Sequence, residues 1–364
     1  PNTLCAFADQ LPAPFVGRRY PRSVVVTSAG TVDLQRATAR LDADALAAEA
    51  GSFSDVVVDR VIGLGDAGRL LRLGGGSRDV GVVVDASGHR PVLIARTATS
   101  SPIQSAFGLV VRGVDAELPA GTALFMDWRD HGVDDGGPPS FLYALSDDDG
   151  TLLLEETTLA SSPAVPANVL ERRLLERLRR RGTRIDDIIA TEHVAFPMAA
   201  GLPAERQDVV AFGVAAGLVQ PISGYSIARS AAAAPGVADV VVAGLAAGHA
   251  PEQIAADVDA ALWPAAARQQ RALLRHGLDM LCGFDAADAD AFFTAFFALP
   301  TSSWRPFLDG SGDLATTQTT MWNLFQQSPR RIRRRLAVGA GVLRTFGTVA
   351  TYAHARLARA GGRR

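Results

Sequence analysis

The sequence predicts an α/β or α+β protein in which a strand-rich first part is followed by a mainly helical second part. Two observations carry this prediction. Residues 1–160 contain short β-branched or apolar runs separated by Gly, Asp and Ser turns. After Gly224, most of the remaining chain has the character of helices. This arrangement excludes repeat folds and coiled coils, which would show a fixed period.

The composition indicates a globular protein. The chain has 364 residues, of which 48% are hydrophobic, and a net charge of −2, so it is neither disordered nor a polyelectrolyte. Lysine is absent, and arginine carries all of the basic charge. Cys5 and Cys282 are isolated, which argues against a disulfide framework and fits a reducing compartment. The scattered histidines form no metal-ligand spacing, so we expect no metal site.

The sequence predicts no membrane span. The longest apolar candidate, residues 231–250, is interrupted by Pro235 and Asp239. We expect no signal peptide, since the given sequence shows no such pattern. We therefore expect a cytoplasmic location. The chain begins with Pro1 rather than methionine, and we expect that a segment lies upstream of it.

The predicted elements follow from periodicity and turn residues. A helix is predicted from Pro166 to Arg181, because Leu170, Leu174 and Leu178 recur every four residues and Gly182 follows its end. A shorter helix is predicted from Asp42 to Ala50, and another over residues 226–233. The predicted strands are residues 24–26, 56–58, 82–84, 108–111, 123–125, 185–189 and 208–212.

Two adjacent carboxylates form the most informative local pattern. The run Phe141 to Leu145 and the run Thr151 to Thr157 are separated by a polar turn that ends in Gly150, which predicts a β-hairpin. Alternation along the second strand sends Glu155 and Glu156 to opposite faces. Only one of them can point into an apolar interior, where burial would raise its pKa and keep it protonated. The alternative is an edge strand with two solvated carboxylates.

One motif is deceptive. Residues 63–68, GLGDAG, match the dinucleotide fingerprint G-x-G-x-x-G. The fingerprint requires a strand before it and a helix that begins within it. Residues 69–73 alternate like a strand instead and lead into three glycines. We therefore predict a hairpin turn at this motif and no phosphate site.

Two other segments are better candidates for contact with a cofactor. Residues 82–88 form a strand that ends in small residues and a glycine, where a backbone can approach a ligand closely. Residues 211–225 run from a strand through small residues, Pro221 and Gly224 towards a helix. Such a turn offers unpaired N–H groups to an anion. An ordinary tight strand exit remains the alternative for each segment.

A collinear series of segments runs through most of the chain: residues 1–3 (PNT), 39–42 (ARLD), 84–89 (VDASGH), 104–108 (QSAFG), 125–129 (FMDWR), 141–144 (FLYA), 153–157 (LLEET), 196–198 (FPM), 212–221 (FGVAAGLVQP), 224–225 (GY), 228–230 (ARS) and 296–300 (FFALP), with Trp304, Phe307 and Leu308. Taken in order, these segments resemble the FAD-dependent lycopene β-cyclases of bacteria and plants. Two departures from the family pattern are present. Leu153 replaces a phenylalanine before the paired glutamates, and Gln220 replaces a common histidine.

The resemblance implies an α/β flavoprotein fold of the Rossmann-like, FAD-dependent type, incomplete at the N-terminus. The family's first strand, Gly-rich turn and helix would lie upstream of Pro1, and roughly 30 residues or more would be lacking by the size of such a unit. The implied domains are a remainder of the FAD-binding domain (1–100 and 183–235), a β-rich substrate-binding and catalytic region (101–182) and a helical C-terminal region (236–364), with membrane association.

The implied activity is cyclisation of the linear ψ-end groups of lycopene to β-ionone rings. The reaction starts from a carboxylic acid, passes through a carbocation and uses reduced FAD without net redox change, with NADPH as reductant. The resemblance assigns the acid to Glu155, with Glu156 as the fallback and Asp127 as the next candidate. For Asp127, a structural Asp–Arg pair is an equal alternative. The implied cofactor-contacting residues are Asp85, Ala86, Gly88, Gly213, Ala215, Ala216, Gly217, Pro221, Gly224 and Tyr225.

The C-terminal region adds a membrane hypothesis. Arg330 to Arg335 form a basic cluster before an apolar run, and Arg344, Arg356 and Arg359 follow. Such a cluster can dock on an anionic membrane surface, where carotenoids dissolve, although an arginine-rich surface helix is the alternative. Nucleic-acid binding is not supported, because aromatic residues do not interleave with the basic ones. Other functions left open are a redox flavoprotein, such as an isoprenoid reductase or hydroxylase, and a catalytically inert chain.

Overall fold

The computed structural model describes residues 3–97, 100–112 and 118–338. The strands are β1 (Cys5–Phe7), β2 (Val16–Tyr20), β3 (Arg22–Thr27), β4 (Gly30–Asp33), β5 (Thr38–Leu41), β6 (Val61–Gly65), β7 (Leu70–Leu73), β8 (Gly76–Asp79), β9 (Val83–Asp85), β10 (Ile103–Arg112), β11 (Thr122–Asp127), β12 (Ser140–Ser146), β13 (Thr151–Thr158), β14 (Asp187–Pro197) and β15 (Val209–Ala211).

The helices are concentrated in the second half of the chain, as the sequence predicts. They are α1 (Ala43–Phe53), α2 (Ala167–Arg180), α3 (Ile227–Ala246), α4 (Pro251–Leu262), α5 (Ala265–Leu281), α6 (Ala286–Phe297), α7 (Thr301–Asp309), α8 (Leu314–Gln327) and α9 (Arg330–Val338). The side chain of Asp42 caps α1 by accepting a hydrogen bond from the backbone N–H of Ala45 at 2.8 Å.

A seven-stranded sheet forms the centre of the molecule, with strand order β14-β10-β13-β12-β11-β3-β4. Its neighbouring strands are antiparallel, except that β11 and β3 are parallel. Because side chains alternate along each strand, the sheet has two distinct faces. A different part of the chain covers each face.

Helix α2 covers the first face. Its residues Leu170, Leu174 and Leu178 are buried against alternate residues of the sheet, including Leu152 and Leu154 of β13. This is the apolar stripe that the four-residue leucine spacing predicts. Burial of each such leucine stabilises the fold by roughly 1.5–3 kcal/mol. The first face is therefore a closed helix-on-sheet core.

The second face is covered by the C-terminal helices. Phe125 and Phe141 on this face belong to a large core that includes Phe293, Phe296 and Trp304 from α6 and α7. Trp128, which follows β11, stacks on Phe293 with ring centroids 4.8 Å apart. This core is rich in aromatic side chains, and it leaves a cavity over the middle of the sheet.

Two smaller sheets complete the α/β part next to this cavity. Strands β15 and β9 form a parallel pair in which Val209 lies opposite Val83, and β1, β5 and β2 form an antiparallel sheet. The seven-stranded sheet takes β3, β4 and β14 from outside the predicted region 101–182. The functional domain boundaries stay a prediction.

The local predictions for turns are confirmed. Strands β12 and β13 form a hairpin, and Gly150 adopts a left-handed φ of 79° in its turn. The GLGDAG motif also lies in a hairpin, because Gly65 of β6 pairs with Leu70 of β7. Asp66, Ala67 and Gly68 all have positive φ in that turn. The motif therefore has no helix to present to a phosphate.

Two predictions require correction. Residues 56–58 form no strand, and their valines are exposed, Val58 at 99%. β-Branched residues favour a strand only where a neighbouring strand pairs with them. Helix α3 is, in addition, long and apolar enough to cross a membrane by length and composition, since Pro235 does not end it. The sequence argument against any membrane-spanning length was therefore too strict.

Candidate active site

The β12–β13 hairpin places the two adjacent glutamates on opposite faces of the central sheet. Glu155 lies opposite Tyr143 of β12, and Glu156 lies opposite Leu142. Leu142, Leu152 and Leu154 belong to the core beneath α2, which identifies the face of Glu156. Glu155 points to the other face. The prediction from strand alternation is confirmed.

Glu155 lines a cavity of about 420 Å³ between the second face of the sheet and the loops that follow β9 and β15. This is within the ordinary size range of small-molecule sites. Its lining combines aromatic rings and aliphatic groups with glycines and hydroxyl groups. The lining includes Phe125, Met126, Phe141, Tyr143, Leu159, Phe196, Gly88, Gln104, Ser223, Gly224, Tyr225 and Ser226.

The environment of Glu155 favours its protonated form. Burial raises the pKa of this carboxyl to about 7, a hydrogen bond from Thr157 opposes the rise, and the negative charge of Glu192 adds to it. The Thr157 hydroxyl donates to Oε1 of Glu155 at 3.0 Å. No arginine forms an ion pair with Glu155 among the residues that the structure describes. A carboxylic acid held in an apolar cavity with such a pKa can donate a proton near neutral pH.

Glu156 has a different environment. It is fully buried and accepts two hydrogen bonds of 2.8 Å from Arg177 of α2. The Ser140 hydroxyl donates to the same carboxylate at 2.6 Å. These donors satisfy both oxygens of Glu156, and a bidentate arginine pair adds geometric specificity to the contact. Glu156 therefore ties α2 to the sheet and does not line the cavity.

Asp127 is also engaged in ion pairs away from the cavity. Its carboxylate lies 2.6 Å from Arg129 and 2.9 Å from Arg181, the residue that follows α2. Burial opposes ionisation, but hydrogen bonds from Arg129 and the charge of Arg181 lower the pKa of Asp127 below its usual value. This arrangement matches the structural Asp–Arg alternative, with a second arginine that the sequence did not indicate.

The loop after β9 contains the first group of predicted cofactor contacts. The Asp85 carboxylate accepts hydrogen bonds from Ser87 at 2.6 Å and from the backbone N–H of Leu93 at 2.8 Å. Asp85 thus holds the loop in shape with donors of the loop itself. Gly88 lines the cavity with φ at +96°, and a Cβ added there would meet nothing within 4 Å. Gly88 offers open backbone to a ligand, and Ala86 is exposed beside it.

The loop after β15 contains the second group. Gly213 and Gly217 adopt left-handed φ values of 59° and 80°, whereas Ala215 and Ala216 are buried. Arg96 holds this loop, because its Nη2 donates to the carbonyl oxygens of both Val214 and Ala215. The backbone N–H groups of Gly213, Val214 and Ala215 donate to no acceptor within the described ranges. Gly213 and Val214 are partly exposed, so their N–H groups are available to an anion or a polar ligand, whereas Ala215 is fully buried.

The third group lies where the chain enters α3. Gly224 and Tyr225 line the cavity, and Pro221 is buried behind them. Helix α3 begins at Ile227 without a side-chain cap, so its first N–H groups and its positive dipole end lie beside the cavity. Burial raises the pKa of Tyr225 well above its usual value, which keeps the phenol neutral.

Gln220, which departs from the family pattern, has a structural role. It is fully buried and donates to the carbonyl of Phe307 at 2.7 Å, while its Oε1 accepts from the N–H groups of Ile222 and Ser223. An amide can make these donor and acceptor contacts together. Gln220 thereby fixes the turn that presents Gly224 to the cavity.

These loops fit a phosphate-bearing, planar cofactor such as FAD. Strands β15 and β9 are parallel, and ligands of open α/β sheets bind at the carboxyl ends of such strands. The free N–H groups after β15 and the uncapped start of α3 suit negative charge. By contrast, no cluster of potential metal ligands exists among the described residues.

Several residues of the cavity were not singled out from the sequence. Tyr143 and Phe196 line it, and Thr157 hydrogen bonds to the acid. Tyr143 could have been found, because the hairpin turn fixes its position opposite Glu155. Glu192 and Arg177, which lie outside the cavity, could not have been found, because their positions depend on pairings between distant segments.

Comparison with known proteins agrees with the resemblance. A model of the family described as lycopene cyclase protein matches residues 26–334. An uncharacterized carotenoid cyclase of Deinococcus radiodurans is 37% identical over 261 residues, which cover 71% of this chain and 63% of that protein. The lycopene beta cyclase of Synechococcus elongatus is 33% identical over 258 residues, covering 69% of this chain and 63% of that protein.

The chain thus spans less than two thirds of the length of these curated relatives. Among solved structures, a geranylgeranyl bacteriochlorophyll reductase-like protein from Thermoplasma acidophilum superposes with a TM-score of 0.56 at 13% identity, covering 95% of this chain and 88% of that one. At that identity the likeness shows the fold alone. The chain belongs to the lycopene cyclase family and has the mixed α/β fold of FAD-dependent flavoproteins, with a helical C-terminal part.

Proposed function

We propose that the protein cyclises the linear ψ-end groups of lycopene to β-ionone rings, with Glu155 as the proton donor. One observation carries this proposal. A carboxyl group with its pKa raised to about 7 lines an aromatic cavity on a chain of the lycopene cyclase family. The printed names of the relatives, carotenoid cyclase and lycopene beta cyclase, support the choice of substrate.

The proton transfer begins at the carboxyl group of Glu155. Its proton adds to the terminal double bond of the end group, which leaves a tertiary carbocation and the Glu155 carboxylate. The second double bond then attacks the cation, and the ring C–C bond forms. Loss of one proton from the ring restores a double bond. Substrate and product are isomers, so atoms and electrons balance.

The cavity walls suit the cationic intermediate. The faces of Phe125 and Tyr225 lie with ring centroids 6.0 Å apart, and Phe141 and Phe196 line the same space. Aromatic faces attract a cation by about 0.5–2 kcal/mol each when water is excluded. Burial also raises the pKa of Tyr143 well above its usual value, so this phenol stays neutral and places no negative charge beside the acid.

The cofactor in this proposal is FAD. Its phosphates would be held by the free N–H groups of Gly213 and Val214, and its ring by the part of the cavity at Gly88, Gly224 and Tyr225. When bound in reduced form, FAD supplies an electron-rich, negatively charged ring that stabilises positive charge nearby without net oxidation. NADPH is the proposed reductant.

Association with a membrane surface is part of the same proposal, since lycopene dissolves in membranes. Arg331 and Arg335 of α9 each lie 2.6 Å from Asp288, whereas Arg330, Arg333 and Arg334 line a separate surface patch. That patch can meet anionic headgroups. Co-sedimentation with phosphatidylglycerol vesicles but not with phosphatidylcholine vesicles is expected. The predicted Arg344, Arg356 and Arg359 lie outside the described residues.

The test is an anaerobic assay with lycopene in vesicles, FAD and a small amount of NADPH. We expect γ-carotene or β-carotene, with far less NADPH oxidised than carotenoid converted. NADPH oxidation that matches product formation would instead favour a reductase or hydroxylase. Flavin-loaded protein that leaves lycopene unchanged would contradict the proposal and favour the inert alternative.

A further inference from the structure

A second carboxyl group lies on the cavity face of the sheet, one strand beyond the proposed acid. Strand β10 runs between β13 and β14, and its Gly108 pairs with Glu155 on one side and with Glu192 on the other. Residues that lie directly opposite each other on neighbouring antiparallel strands point to the same face. Glu155 and Glu192 therefore flank Gly108 on one face of the sheet.

Gly108 leaves the space between the two carboxyl groups without a side chain. A Cβ added at Gly108 would lie 3.3 Å from Cγ of Glu155, 3.5 Å from Cβ of Glu155 and 3.3 Å from Cδ1 of Leu153, which also packs against the glycine. The side chain of Glu155 thus extends over the glycine, towards the strand that carries Glu192. Neighbouring strands are about 4.8 Å apart, so two strand spacings, about 10 Å, bound the backbone separation.

The carboxylate of Glu192 accepts hydrogen bonds but has no cationic partner among the described residues. Its two oxygens accept hydrogen bonds from the backbone N–H of Thr3 at 3.0 Å and from the Thr3 hydroxyl at 2.6 Å. Glu192 is 8% exposed. No ion pair involves it among the described residues, in contrast to Glu156, which Arg177 neutralises. Its charge therefore acts on its neighbours across a poorly solvated face.

We propose that Glu192 is a positioning residue that keeps the acid protonated: its negative charge acts across Gly108 and disfavours the ionised form of Glu155. This inference rests on the proposed function only in naming Glu155 as the acid. Glu192 does not line the cavity, so it contacts neither substrate nor cofactor and acts through Glu155 alone.

Other titratable groups lie near the pair or line the same cavity. Burial lowers the pKa of His89 and raises the pKa of Tyr225 well above its usual value, so both of these cavity residues are neutral near pH 7. Tyr143 on β12 and Cys5 on β1 both have their pKa raised by burial, Cys5 to about 11, so both are neutral near pH 7. Arg40 on β5 lies near Cys5 but forms an ion pair with Asp147 at 3.4 Å. Thr157 and Thr3 are uncharged donors. Glu192 is thus the charged group whose removal is expected to change the acid most.

The test measures the titration of Glu155 directly. The protein is labelled with ¹³C at the glutamate carboxyl carbons, and the Glu155 resonance is identified by its loss in Glu155→Gln. In Glu192→Gln we expect the Glu155 titration to move to lower pH by about half a unit or more, as expected for removal of a like charge at this range. Glu192→Asp, which keeps the charge, should retain most of the wild-type value.

Glu192→Met, which removes the charge with an apolar side chain of similar length, is the second variant if the glutamine variant does not fold. An unchanged Glu155 titration in either charge-free variant overturns the inference. The alkaline limb of the lycopene-conversion profile should move in parallel with the NMR titration. If the titration moves but no variant, nor the wild type, converts lycopene, the proposed function fails and the inference about Glu192 stands.

Discussion

The two faces of strand β13 give its adjacent glutamates opposite environments. On the cavity face, Glu155 has one threonine donor and aromatic neighbours, and burial raises its pKa to about 7. On the α2 face, Glu156 is fully buried yet receives two hydrogen bonds from Arg177. The comparison teaches that burial alone does not make a carboxyl group a proton donor. The presence or absence of a cation in the covering layer decides it.

The largest expected effect is a difference in catalytic activity between variants on the two faces. Glu155→Gln should reduce lycopene conversion by about 10²–10⁴-fold, the usual range for loss of a positioned acid, because the amide cannot donate a proton with the same driving force. Glu156→Gln, measured per amount of folded protein, should retain most of its activity. Product analysis by chromatography measures both. A Glu156 variant as inactive as the Glu155 variant would break the comparison.

The second effect is a loss of stability that we expect on the α2 face. Glu156→Gln should lower the free energy of unfolding by about 3–5 kcal/mol, because Arg177 is left as a buried charge without its counter-ion. Urea denaturation followed by circular dichroism measures this loss. The double variant Glu156→Gln, Arg177→Met is the matched control and should recover part of it. Equal losses in the single and double variants would show that Arg177 is not the cause.

The third and smallest effect is the pH dependence of stability. The folded chain keeps the Glu155 proton up to about pH 7, whereas the unfolded chain releases it near the ordinary value of 4.5. The stabilisation by the buried acid is therefore full below pH 4.5 and is lost as the pH rises towards 7. Glu155→Gln should remove this loss. Between pH 4.5 and pH 8, the free energy of unfolding of the wild type should therefore fall by about 1–3 kcal/mol more than that of the variant. Identical pH profiles of the melting temperature would contradict the raised pKa.

Features that depend on neighbouring residues were predictable from the sequence. The β12–β13 hairpin and the hairpin at the GLGDAG motif follow from turn residues, and α2 follows from its leucine spacing. The opposite orientations of Glu155 and Glu156 follow from strand alternation alone. These features were correct because a few adjacent residues determine them.

Features that depend on distant segments were not predictable. The sequence does not reveal that α2 lies over the sheet so that Arg177 reaches Glu156 and Arg181 reaches Asp127. It also does not reveal the pairing of β14 with β10 that brings Glu192 next to Gly108. The valines at 56–58 show the converse, since a strong strand propensity without a pairing partner yields no strand.

The strand order of the central sheet has a consequence for synthesis on the ribosome. Strands β12 and β13 are consecutive, so they can form a hairpin as they emerge. Strand β3, however, must remain unpaired along one edge until β11 has been made, about a hundred residues later. Strand β14 reaches β10 only after α2 has left the exit tunnel. The nascent chain therefore carries exposed sheet edges while the proton donor still lacks its cover, and it is most prone to aggregate at that stage.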